Sequence, residues 1–130
     1  MADERDKLQY ELFERALERL HEVVVLNESD VVRDALIQRF EFTYEMAWKA
    51  AWRWLRAQGE DLAEKAYEVL PSAVQARLIP NIALWQDIRD YRNKTSHTYK
   101  EDLAIEVAAF VRAKAVPAFD ALLAELKKRS

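Results

Sequence analysis

Arg92 and His97 stand five residues apart in RNKTSHTY, residues 92–99, with Lys94, three hydroxyl side chains and the phenol of Tyr99 beside them. These residue types suit phosphodiester chemistry without a metal. A guanidinium holds two phosphate oxygens and offsets the charge that grows in a pentacoordinate transition state. An imidazole moves a proton near neutral pH, an effect typically worth about 10² to 10⁴ in rate. RNA brings its own nucleophile, the 2′-hydroxyl, so a protein need only deprotonate it, stabilise the phosphorane and protonate the leaving oxygen. The same spacing also fits a plain polar turn. In that reading His97 is a surface residue, Arg92 and Lys94 pair with Asp87, Asp90 and Glu101, and Tyr99 is a core residue with a wet hydroxyl.

On one regular helix Arg92, Ser96 and Tyr99 share a face, while His97 points about 140° away from Arg92. A shared site then requires one of two things. Either the helix ends around Asn93 to Thr95, where Asn, Thr and Ser compete for backbone hydrogen bonds, or the same segment of a second copy completes the cleft.

Other chemistry finds less support. HExxH, Walker and GxSxG motifs are absent, and no cysteine occurs. His21 lies between Glu18 and Glu22 on a charged helix face and is expected to be solvated. Asp87, Asp90, Glu101 and Asp102 are interspersed with cations, which reads as an ion-paired face; neither a metal nor a cofactor is expected. A net charge of −3 excludes a general basic coat for nucleic acid, so any RNA contact must be local.

The elements that position the cluster are helices. One glycine and three prolines stand against 51% apolar and 33% charged residues, and no period-two alternation or long repeat is present. Leu8, Leu12, Ala16, Leu17, Leu20, Val23 and Val24 mark a first helix. Ser29 caps a long second one that runs to Gln58 and stops at Gly59. A third is expected from Glu60 to Leu70, broken or kinked at Pro71 and followed by a short turn from Ser72 to Ile79. Asn81 opens a fourth, striped by Ile82, Trp85, Ile88 and Tyr91. Leu103 to Leu126 form the last, bent at Pro117.

The second helix is apolar over more than one face: Phe40, Tyr44, Ala47, Trp48, Ala51, Trp54 and Leu55 form a core arc, while Phe42 and Met46 project opposite it. So small a bundle is not expected to enclose that helix, which assigns Phe42 and Met46 to a partner interface. The fold class is thus all-α, a five-helix, mainly antiparallel up-and-down bundle of four long helices and a shorter one, a single domain over residues 1–130. The charged start and the lack of any long apolar run predict a soluble, cytoplasmic protein without a membrane partner.

Two segments together carry a family resemblance. RNKTSHTY resembles the Arg-x4-His-x-Tyr signature of HEPN-domain proteins of the HepT-like kind, and VVRDALIQRFEFTYEMAWKAAWRWL resembles the second helix of nucleotidyltransferase substrate-binding proteins. The likeness extends to Leu78-Ile79, Trp85 and Pro117. It implies a homodimeric helical bundle with a minimal nucleotidyltransferase as antitoxin partner and RNA as substrate. By that resemblance Arg92 and His97 are the catalytic pair of a ribonuclease toxin, Asn93 and Ser96 shape the turn, and Tyr99 receives AMP from the partner. An older description of the same family implies instead a non-catalytic, substrate-binding subunit of a nucleotidyltransferase. Tyr91 and Arg89 depart from the pattern and leave Arg89, Arg92, Lys94 and Lys100 as a cationic setting for His97.

Overall fold

The computed structural model describes residues 2–98 and 100–129, which fold as five helical rods with no strand among them. Helix α1 spans Glu4–Val24 and opens on a reciprocal cap: Asp6 N–H donates to the Asp3 carboxylate at 2.9 Å and Asp3 N–H to that of Asp6 at 3.0 Å. Its buried stripe is Phe13, Ala16, Leu17, Leu20 and Val23, whereas Leu8 is exposed. The apolar period was right and its phase slightly off.

Helix α2, Asp30–Ala57, starts where Ser29 Oγ accepts from Val32 N–H at 3.1 Å and ends before Gly59, whose φ of +98° is open to glycine at little cost. It is the central rod, packed against every other helix. It buries the expected arc except Trp54, which is half-buried, and adds Leu36, Ile37, Thr43, Ala50 and Trp52. Its surplus apolar surface is therefore largely used inside the chain.

Residues 60–65 do not form the helix expected of them. Side chains take over the backbone groups there: Trp52 Nε1–H donates to Leu62 O at 2.9 Å, and Ala63 N–H donates to the Glu68 carboxylate at 3.0 Å. Helix α3, Ala66–Gln75, begins later and carries Pro71 in its interior without breaking. An interior proline costs about 3 kcal/mol. Burial of Val69 and Leu70, at about 1.5 to 3 kcal/mol each, is large enough to hold it. Arg77, at φ +60°, then closes the helix, with Leu78 N–H reaching Ala73 O. From the far end of the chain Arg129 donates to the carbonyls of Ala76 and Arg77.

Asn81 caps α4, Ile82–Lys94, which buries Trp85 and Ile88 and passes into a 3₁₀ turn, Thr95–His97. Helix α5, Glu101–Phe110, continues through a π turn, Val111–Ala115, into α6, Val116–Arg129. The wider turn, in which Val116 N–H reaches back to Val111 O, absorbs Pro117. Phe119 of α6 centres the core against Phe13, Phe40 and Trp85, at 6.5, 6.2 and 5.7 Å. Among the described residues no helix is long and apolar enough to cross a membrane.

Candidate functional site

The end of α4 is locked by its own hydroxyls. Thr95 Oγ1 donates to Arg92 O at 2.6 Å, Ser96 Oγ to Asn93 O at 3.2 Å, and Thr98 Oγ1 to Thr95 O at 2.9 Å. Each bond runs three residues back and tightens the chain into the 3₁₀ turn, and two of them share their carbonyl with a backbone bond, Thr95 N–H to Arg92 O and Thr98 N–H to Thr95 O. Helix α4 ends at Lys94, as the first of the two alternatives has it, and Ser96 bonds within the turn. Asn93 contributes its carbonyl while its side chain stays exposed.

Arg92 lies half-buried on the last turn of α4. Its Nη1 donates to Thr95 Oγ1 at 3.3 Å and faces Glu41 Oε2 at 3.5 Å, while Nε is 3.8 Å from Glu45 Oε1. Those carboxylate distances are Coulombic contacts, too long for good hydrogen bonds. The Nε–H is buried with no acceptor. Charge thus holds the guanidinium, with one buried donor, the Nε–H, left unpaired. Glu45 is itself oriented, since its other oxygen accepts from Trp48 Nε1–H at 3.2 Å.

Neither glutamate was foreseen. The pairing expected with Asp87 and Asp90 is replaced by one with Glu41 and Glu45, because α2 crosses beside α4. Their spacing of four along α2, a single acidic edge on an apolar helix, was the available signal. Lys94 likewise turns to α5: its Nζ is 3.9 Å from Glu106 and 4.7 Å over the Tyr91 ring. Tyr91 stacks on Phe110 at 4.0 Å and donates to Glu106 at 2.9 Å, which raises the pKa of its phenol. The setting is thus more acidic than the local sequence suggested.

His97 is exposed in the 3₁₀ turn. That turn keeps winding, at about 120° per residue, so His97 emerges roughly half a turn from Arg92. Ending the helix does not by itself bring the two onto one face. Tyr99 lies outside the described residues. Beneath the site Tyr44 is buried with no partner for its hydroxyl, and burial pushes its pKa up to about 12. Among the described residues no three His, Asp or Glu side chains converge to hold a metal ion. His21 meets Asp120 of α6 at 2.6 Å, instead of only water.

Phe42 is 55% exposed on the outer side of α2, above a groove of about 410 Å³ lined by Ala16, Arg19, Ala35, Gln38 and Arg39. Met46 is half-buried by α1, where Gln9 Nε2 approaches its sulfur at 3.5 Å. Of the two interface candidates, Phe42 is the one that remains in water.

The family model described as nucleotidyltransferase substrate binding protein like matches residues 8–128, across both α2 and the Arg92 turn. The chain belongs to this family. A curated member of similar sequence is the Probable ribonuclease HepT of Haemophilus influenzae, 32% identical over 120 residues that cover 80% of this chain and 82% of that protein. Two solved structures resemble this nucleotidyltransferase substrate-binding-protein-like chain. The Thermus thermophilus protein ttk003001694 has a TM-score of 0.74 at 34% identity, covering 90% of this chain and 97% of its own. HI0074 from Haemophilus influenzae, described as revealing the fold of a substrate-binding domain of a nucleotidyltransferase, has a TM-score of 0.78 at 26% identity, with coverage of 91% and 98%.

Proposed function

We propose that this chain is a metal-independent ribonuclease, the toxin of a pair with a minimal nucleotidyltransferase that silences it by transferring AMP to Tyr99. The observation that carries the reading is the held guanidinium: Arg92 is fixed between α2 and Thr95 while about a third of its side chain stays exposed, five residues before an exposed histidine. Likeness to a probable ribonuclease supports it.

In this mechanism His97 accepts the 2′-hydroxyl proton. The oxygen attacks phosphorus, Arg92 stabilises the phosphorane, and the P–O5′ bond breaks as a second His97 protonates the leaving oxygen. The products are a 2′,3′-cyclic phosphate and a 5′-hydroxyl. Because Arg92 and His97 emerge on different sides of one chain, the working site is assigned to a two-fold dimer in which each protomer supplies one histidine.

The test is incubation of the purified chain with RNA in EDTA. Cleavage should leave cyclic-phosphate ends, and Arg92→Ala or His97→Ala should slow it at least about 100-fold. Equal activity in His97→Ala would sink the mechanism. With the nucleotidyltransferase and ATP, the peptide bearing residue 99 should gain AMP, and Tyr99→Phe should not.

A second reading, a non-catalytic substrate-binding subunit, draws on the family's description and on the two carboxylates that already face Arg92. It requires that the protein form a stable complex with the transferase and turn over no RNA.

A further inference from the structure

Helix α2 continues beyond Glu45 as a cationic edge. At 100° per residue Glu45, Lys49 and Arg56 fall within about 40° of one another, so they form one line along the rod. At 1.5 Å per residue Lys49 lies about 6 Å beyond Glu45 and Arg56 about 16 Å beyond it. Since Glu45 abuts Arg92, the line starts at the candidate site.

Both cations rest on indole faces. Lys49 Nζ sits 5.7 Å from the Trp48 ring centre and the Arg56 guanidinium 5.4 Å from that of Trp52. The rings are themselves fixed, being nearly buried and hydrogen-bonded through Nε1 to Glu45 and to Leu62 O. Trp48 therefore joins the two features: its N–H orients the carboxylate beside Arg92, and its face carries Lys49. Arg53, also over Trp52, is committed to Asp6 at 3.6 Å. Among the described residues neither Lys49 nor Arg56 has a carboxylate within ion-pair distance. They are pre-positioned positive charges without a counterion, on a chain whose net charge is negative.

We propose that Lys49 and Arg56 form a phosphate track for single-stranded RNA, extending the Arg92 site along α2. Their separation of about 10 Å spans about three nucleotides of a stacked strand at ~3.4 Å each. The indoles are buried, so they stiffen the cations and do not stack on bases, which makes the track indifferent to sequence. This deepens the ribonuclease reading by assigning its substrate as a strand several nucleotides long.

The experiment measures binding by fluorescence anisotropy on the His97→Ala protein, with labelled single-stranded RNA of 4 and of 12 nucleotides, over a potassium chloride series. Lys49→Ala/Arg56→Ala should weaken 12-mer binding and shrink the slope of log affinity against log salt by about 1.4, at ~0.7 per phosphate contact. The gain in affinity from 4 to 12 nucleotides should shrink with it. Lys49→Arg alone should keep the full slope, and Lys65→Ala, another lysine over an aromatic ring, should leave it unchanged. An unaltered slope in a double variant of wild-type melting temperature overturns the track, as does absence of RNA binding. The single variant Lys49→Gln decides the matter if the double variant melts early. RNA bound with the expected slope change but never cut by the unmutated chain would remove the ribonuclease reading and leave the track standing.

Discussion

Arg92 Nη1 and Glu41 Oε2 lie 3.5 Å apart, so the guanidinium to which the proposed mechanism gives a phosphate already faces an anion from α2. Glu45 adds a second, held in place by Trp48. These carboxylates aim the side chain and, in the proposed mechanism, compete with the substrate. Glu45→Gln keeps an acceptor for Trp48 and removes one charge. KM for RNA should fall about threefold while kcat falls about tenfold, because attraction rises and the aim is lost. Steady-state cleavage of a labelled oligonucleotide reads both; a raised KM with unchanged kcat would show that Glu45 binds substrate instead.

Thr95 couples the turn to the guanidinium, donating to Arg92 O and accepting from Arg92 Nη1. Thr95→Val keeps the shape and removes both bonds of a buried hydroxyl, leaving Arg92 O with the Thr95 N–H alone. Urea denaturation should show a loss of about 1 to 3 kcal/mol, with Thr95→Ser recovering most of it. A loss below about 0.5 kcal/mol would mean that the turn does not depend on this hydroxyl.

Phe42 is a large apolar side chain in water beside a groove floored by Ala16 and Ala35. If the composite site forms through this face, Phe42→Arg should leave helix content and melting temperature near wild type, convert dimer to monomer in sedimentation, and abolish cleavage. A variant that stays dimeric would move the interface elsewhere.

Tyr44 and Tyr10 are held near pKa 12 by burial, against about 10 when unfolded, and neither hydroxyl has a partner. Between about pH 10 and 12 the unfolded chain ionises first. Stability is therefore complete below about pH 10 and declines as pH rises toward 12. Urea midpoints at pH 9 and 11 should differ less in Tyr10→Phe/Tyr44→Phe than in the unmutated chain. At pH 7 Tyr44→Phe should be neutral or slightly stabilising, since it removes a buried hydroxyl without a bond. Identical midpoint shifts in both proteins would place the alkaline sensitivity in other groups.

Helix positions were legible wherever the governing interactions were local. Ser29, Asn81 and Gly59 mark boundaries because caps and stops act within a few residues, and Phe40, Ala47 and Leu55 were core by period alone. Segment 60–65 was misread because its backbone is satisfied by Trp52 and Glu68, partners that propensity does not see. Phe13 replaced Leu8 because the stripe's phase depends on where α2 lies, and Met46 was claimed by α1 for the same reason.

Residue types and spacing made Arg92 and His97 candidates beside a plain polar turn, since the chemistry of a guanidinium and an imidazole belongs to the side chains, and the family resemblance marked them as a pair. The family likewise rests on two local motifs. What surrounds Arg92 was decided only by tertiary packing: α2 crosses α4 and delivers Glu41 and Glu45 from about fifty residues away, while α5 delivers Glu106 to Lys94. Coulomb energy depends on distance in space, so the charges that set a site's behaviour become known only when the chain has folded.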